Sequence, residues 1–326
     1  MVWIGASGHI LLALVLHVAV AANDLRASEQ ARVTESAILV TEIQPLGYGG
    51  SFYANGVICV MANGLYETIR LTKVDGVAHL TLARPNSLNA LNRALLAEVI
   101  LALDDISDDG DVRALLVDGE GRSFSSGADL GRDSSSAGDA AFDAGAVLEQ
   151  FYNPLIERMF ALPVPIVSAV HGPVVGAGCM IALSADIVFA SRTAYFLQAF
   201  VNVGLVPDAG STWLLPRLVG RARAQAMMML GERISAQTAA DWGLIYGVVD
   251  DADLAARAQE TALKLATGPT QAYRLIRHGI RTALEQSLSD ALTGERVAQA
   301  EAGQTEDFRE GVAAFREKRR PVCRGR

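Results

Sequence analysis

Two glycine-containing turns, each closing a short apolar run, constrain this chain most. Val112 to Val117 leads through Gly119-Glu-Gly121 into Ser123-Phe-Ser-Ser-Gly-Ala-Asp-Leu130, and Ile166 to Val170 leads into His171-Gly-Pro-Val-Val-Gly-Ala-Gly-Cys-Met180. A short run rich in Val, Ile and Leu, bounded by turn residues, reads as a strand buried on both faces. The glycines let the backbone take tight conformations and approach a ligand closely. Each turn can then aim a backbone N–H at one atom. Two converging donors make an oxyanion hole, which stabilises negative charge on a carbonyl oxygen. The pattern predicts a carbonyl-activating site carried by buried strands.

The composition permits such a frame. With 326 residues, 51% hydrophobic and 20% charged, the chain can bury a large core. Its 36 acidic against 28 basic side chains give a net charge of -8, which disfavours nucleic acid as a general partner. The exception is the basic tail Lys318-Arg-Arg-Pro-Val-Cys-Arg-Gly-Arg326, read as a frayed end or as a contact for a phosphorylated group. Cys59, Cys179 and Cys323 lie far apart with no CxxC pair, so neither a disulfide framework nor a zinc site is expected. The histidines lack metal spacing, and no metal is expected. His171 abuts the second turn and reads as a structural residue at a strand end.

Residues 1–60 differ from the rest of the chain. Ile10 to Ala22 is apolar apart from His17, is short for a membrane span, and has no Lys or Arg before it. An extension outside the working domain is the preferred reading; a secretory signal and an ordered functional extension are the alternatives. No membrane partner and a cytoplasmic location are expected. From Met61 the pattern becomes regular. Leu65 to Arg84 alternates around Asp75-Gly76, a hairpin signal. Apolar residues at Leu91, Leu95, Val99, Ile100 and Leu103 fit a helix, ended by Asp108-Asp-Gly110. Val147 to Leu162 reads as a helix stopped by Pro163-Val-Pro165, Asp186 to Ala190 as a strand, and Leu244 to Val249 as the last strand. Residues 131–145 read as a loop. Ser235 should cap a helix. Further helices are expected over 251–267, 270–284, 287–301 and 305–317. The order predicts an α/β domain over 61–255 and a helical region over 256–326.

At these motifs the chain resembles the crotonase family, the enoyl-CoA hydratases and isomerases. The resemblance runs from about Tyr66 to the C-terminus and rests on an ordered set of segments. They are Ala83-Arg-Pro-Asn-Ser-Leu-Asn-Ala90, Gly121 to Leu130, His171 to Cys179, Gly204-Leu-Val-Pro-Asp-Ala-Gly-Ser-Thr212, Arg221-Ala-Arg-Ala, Ile234-Ser-Ala and Trp242-Gly-Leu-Ile. It implies a spiral of ββα units with a helical C-terminal region that builds homotrimers or hexamers. It implies an acyl-CoA substrate, CoA being part of the substrate and no separate cofactor being needed. The thioester oxygen would sit between the N–H groups of Ala128 and Ala177, where family members usually carry glycine at the second place. A helix starting at Gly176 would add its positive end. Ser87, Leu88 and Asn89, with Ser126, Gly127, Asp129 and Leu130, match segments that hold the CoA moiety, largely through backbone. Phe315 and Lys318 match positions that approach its nucleotide, often from a neighbouring subunit.

The resemblance also marks a departure. Family hydratases activate water with two glutamates; Met180 and Phe200 stand in those places here, and neither can move a proton. A carboxylate occurs further on, at Asp208 in Val206-Pro-Asp-Ala-Gly210. By position it reads as a helix N-cap. Yet the run from Leu197 to Arg223 resembles the phenylacetate-pathway epoxide isomerases, which act on ring-1,2-epoxyphenylacetyl-CoA and shift double bonds in enoyl-CoA. That likeness implies Asp208 as a catalytic base, alone or as base and cap together. Phe196, Phe200, Val203 and Trp213 read as core or as the wall of an acyl pocket. The expected function is an acyl-CoA isomerase. The alternatives are a hydratase using a non-standard acid and a non-catalytic binding protein of the same fold.

Overall fold

The computed structural model describes residues 66–131 and 143–326, and upstream of these the three strands β1 (Gln44–Pro45), β2 (Ser51–Ala54) and β3 (Val57–Val60), which pair as an antiparallel meander. The readings of residues 1–43, and of the loop at 132–142, lie outside the described residues.

The frame is a six-stranded sheet in the order β12-β9-β7-β6-β5-β4. β4 (Ile69–Val74) and β5 (Val77–Leu82) form the expected hairpin, with Asp75 and Gly76 both at positive φ. That is the type I′ pattern, whose twist suits antiparallel strands. β5, β6 (Ala114–Gly119), β7 (Ile166–Val170), β9 (Ile187–Ser191) and β12 (Gly247–Val249) run parallel. A smaller sheet, β8 (Pro173–Val175), β10 (Tyr195–Leu197) and β11 (Ile234–Ser235), forms a second layer. Ser125 joins it by a bridge to Val174. Strands β6, β7 and β9 therefore each hand the chain to a short second-layer segment before the next helix. This is a spiral of ββα turns, as expected.

The helices are α1 (Arg93–Asp108), α2 (Ala144–Val147), α3 (Asn153–Ala161), α4 (Ala177–Leu183), α5 (Ser211–Leu230), α6 (Ala236–Asp241), α7 (Leu254–Ala266), α8 (Thr270–Ala283), α9 (Leu288–Ala302) and α10 (Glu306–Glu317). Caps account for several starts. Asn92, Ser235, Ser287 and Thr305 each accept the backbone N–H three residues on. The helix expected over 147–162 starts earlier, at Ala144, and contains a π turn over Leu148–Tyr152. Pro154 has no N–H to donate, and the N–H of Asn153 just before it reaches back to Leu148. The last strand is shorter than expected, because Leu244 and Ile245 are buried in the turn before it.

Burial fixes both faces of the sheet. One core cluster packs Leu80, Leu82, Leu115, Val117 and Ile166 against Leu95, Leu96, Leu103 and Leu155. On the other face Ala258, Ala262 and Ala266 of α7 meet Leu116, Val167 and Phe189. The boundary expected at 255/256 thus runs through a helix that covers the sheet. The tail is folded, not frayed. Asp307, only 6% exposed, accepts the N–H groups of Arg324 and Gly325, and Arg113 donates to the carbonyl of Cys323. Arg319 pairs with Glu310 and holds its carboxyl down to about 2. Among the described residues no helix is long and apolar enough to cross a membrane.

Candidate active site

The two glycine turns lie side by side. Val175 N–H donates to the Ser125 carbonyl at 3.0 Å, and Ser125 N–H to that of Pro173 at 3.2 Å. A Cβ on Gly176 would lie 3.9 Å from the Gly127 Cα, and a Cβ on Gly127 would come within 3.0 Å of the Val175 carbonyl oxygen. Gly127 also has φ of 88°, so a side chain there meets both strain and a close oxygen. Backbone packs on backbone at this seam.

The seam leaves two donors over. Leu91 N–H bonds the Gly127 carbonyl and the Leu91 carbonyl accepts from Asp129. In this parallel bridge Ala128 is skipped, and its N–H has no acceptor among the described residues. Ala177 is the first residue of α4, where N–H groups have no partner within the helix, and its N–H also has no acceptor among the described residues. The helix begins one residue later than expected, with Gly176 as its cap at φ 54°. At seven residues it adds little dipole of its own, so the local N–H matters more than the axis. Ala128 is exposed while Ala177 is 2% exposed.

The residues flanking the first turn divide by role. Asn89 is fully buried and spends its side chain on the fold. Its carbonyl oxygen accepts from Arg84 N–H, and its amide donates to the carbonyls of Glu120 and Ser123. The Asn89 side chain thus has a structural role in this turn. Ser87 and Leu88 bracket a 3-10 turn, and Ser126 bonds both, its N–H to the Leu88 carbonyl and its hydroxyl to that of Ser87. Asp129 pairs with Arg84 at 3.0 Å, which also donates to the Ala90 carbonyl. Leu130 is exposed beyond it. Phe315 and Lys318 lie on α10 and its C-cap, both exposed. His171 takes its expected structural role: its ring pairs with the Gly121 carbonyl at 2.9 Å.

The hydratase positions are filled by buried apolar groups. Met180 is 1% exposed and faces the Gln198 amide across 4.0 Å. Phe200 is 8% exposed, and its ring lies 3.7 Å from where a Cβ of Gly176 would stand. Neighbouring Cys179 is fully buried, which pushes its thiol up to about 12 and keeps it un-ionised. Phe196 is core, and Trp213 packs edge-on against Phe160, lies under Arg217 and donates to Glu285. Val203 is exposed.

Asp208 behaves differently from a cap. The N-cap of α5 is Gly210, and no side chain caps that helix. What Asp208 gives to the helix start is its backbone carbonyl, which accepts both the N–H of Ser211 at 2.9 Å and its hydroxyl at 2.6 Å. Its carboxyl Oδ1 is buried with no hydrogen-bond partner among the described residues. Burial alone lifts this carboxyl to about 6. The Ser211 hydroxyl also lies 3.3 Å from the side-chain Oε1 of Gln198, so Gln198 links the Asp208 turn to Met180 on α4. Gln198 and Ser211 do not stand out as site residues in the sequence. Their signal is burial of polar side chains, which only the fold supplies.

A family model for enoyl-CoA hydratase/isomerase matches residues 72–326. The chain is 45% identical over 251 residues to 1,2-epoxyphenylacetyl-CoA isomerase of Escherichia coli K12, covering 77% of this chain and 96% of that one. It is 43% identical over 261 residues to a Rhodobacter capsulatus protein named a probable enoyl-CoA hydratase, covering 80% and 99%. A solved enoyl-CoA hydratase structure from Bacillus anthracis superposes with a TM-score of 0.74 at 30% identity, over 80% of this chain and all of that one. The paired glycine turns and the ββα spiral thus have their match in sequence and in fold, and the chain belongs to the enoyl-CoA hydratase/isomerase family, the crotonases.

Proposed function

We propose that this family member is an acyl-CoA isomerase that moves a double bond, or opens a ring epoxide, through a thioester enolate. The observation that carries the reading is the carboxyl of Asp208, half-buried, unpaired at Oδ1 among the described residues and lifted to about 6, in a chain where Met180 and Phe200 stand in place of water-activating acids. A base with a pKa near the working pH transfers protons in both directions. The Asp208 carboxylate takes a proton from the acyl chain next to the double bond. The electron pair moves onto the thioester oxygen, held by the N–H groups of Ala128 and Ala177. As the enolate collapses, the carboxylic acid returns the proton to a different carbon. Buried Met180 and Phe200 deny a water molecule the acidic partners it would need for attack.

The contact surface for CoA rests on the Ser87–Leu88 turn, Ser126, Gly127, Asp129 and Leu130, with Gly176 closing the second turn. The exposure of Phe315 and Lys318 supports a nucleotide contact completed between subunits. A homotrimer or hexamer is supported by apolar side chains left uncovered on one chain. Ile276 and Ile280 of α8 and its C-cap Leu284 recur every fourth residue, at 55%, 63% and 50% exposure.

A hydratase reading is favoured by the Rhodobacter capsulatus relative's name, with Asp208 as the single acid. Turnover decides between them. Conversion of 3-enoyl-CoA or ring-epoxide thioesters without water addition to crotonyl-CoA is expected. Hydration of crotonyl-CoA as the dominant activity would overturn the isomerase reading.

A further inference from the structure

We propose that Ser211 is a positioning residue for Asp208, holding a strained turn that keeps the carboxyl away from the start of α5. The inference rests on the reading of Asp208 as the proton carrier. The Asp208 carbonyl accepts the Ser211 N–H at 2.9 Å across Ala209 and Gly210, whose φ values are 49° and 80°. This is a type I′ turn, and alanine is a poor occupant of its first central place because its Cβ crowds the backbone at positive φ. The Ser211 hydroxyl compensates with a second, 2.6 Å bond to the same carbonyl. Ser211 is itself fully buried, so that hydroxyl has no competing water, and its other acceptor, the Gln198 Oε1, lies farther away at 3.3 Å.

The turn faces a competitor. The N–H of Thr212, in the first turn of α5, has no acceptor among the described residues. Aspartate near such an N–H ordinarily turns its carboxylate to it, becoming a cap with a depressed pKa. With the turn locked, Oδ1 stays buried and unpaired. Among the described residues burial is the one cause that perturbs the Asp208 carboxyl. Release of the turn would convert the base into a cap.

The test compares wild type, Ser211→Ala and the double variant Ala209→Gly/Ser211→Ala, since glycine relieves the strain that the hydroxyl offsets. Two readouts are taken: kcat and KM against pH for a 3-enoyl-CoA, and the titration of the Asp208 carboxyl by 13C NMR. In Ser211→Ala, kcat is expected to fall about tenfold with KM held, the loss of one buried hydrogen bond. The carboxyl midpoint should drop by about one pH unit or more. The double variant should recover both. An unchanged midpoint in Ser211→Ala, whether kcat falls or not, would overturn the proposal, a fall in kcat alone then reflecting packing. If wild type turns over no thioester and the midpoint still drops, the turn mechanism stands and the isomerase reading fails.

Discussion

At the scale of single residues, the chemistry turns on which polar atoms the fold leaves unused. Asp208→Asn keeps shape and burial but cannot carry a proton. Its kcat should fall by about 10²- to 10⁴-fold while acyl-CoA binding, measured by calorimetry, is retained. On the proposed mechanism the same residue sets a pH dependence. Wild-type activity should rise as pH passes through about 6, where Asp208 ionises. Stability moves the other way. A carboxyl whose folded pKa is raised contributes stability that is full below the unfolded value near 4 and is lost as pH rises through about 6. Asp208→Asn should therefore be more stable than wild type at pH 8, by about 1–2 kcal/mol, and the gap should close at pH 4 by urea titration. Gly127→Ala is expected to lower kcat and stability together, since φ of 88° and the Val175 carbonyl at 3.0 Å both resist a methyl group. These positions were unequally visible in the sequence. Glycine spacing marks Gly127 and Gly176 directly. Asp208 is visible as a carboxylate, but its position before a helix argues for a cap, and only burial and hydrogen bonding argue against that cap.

At the scale of elements, polar clamps tie the C-terminal helices to the core. Arg277 of α8 pairs with Asp186 and donates to the Met159 carbonyl at 2.7 Å, while Asp186 also accepts the Ile166 N–H at 2.7 Å. Burial raises the Asp186 carboxyl and lowers Arg277, the mark of a pair held out of water. Removing one partner strands the other. Arg277→Ala should cost about 3 kcal/mol in a urea titration, more than a surface pair would. Element identities were largely legible: hairpin, α1, the two glycine turns, the Ser235 cap and the four last helices lie within a few residues of expectation. The π turn over Leu148–Tyr152 was not, because the proline that favours it also reads as an ordinary helix residue near an N-terminus.

At the scale of the molecule, the apolar stripe on α8 and the exposed Leu288 and Leu292 of α9 support the proposed contact with further subunits. Ile280→Asp is expected to reduce the sedimenting species from an oligomer to smaller units. Sedimentation of wild type as a monomer would remove the basis for subunit-shared binding by Phe315 and Lys318.

The sequence by itself determined the family, the order of ββα turns, the glycine seam and the absence of both hydratase glutamates. Local spacing carries each of these, since apolar period, turn residues and motif order are properties of neighbours along the chain. The tertiary structure decided what spacing cannot encode. It folds the basic tail onto Asp307 and Arg113, and assigns Asn89 to the scaffold. Among the described residues it also leaves the Ala128 and Ala177 N–H groups without acceptors and the Asp208 Oδ1 without a partner. Each of those outcomes depends on which distant group reaches a polar atom first, and on how much water remains around it when none does.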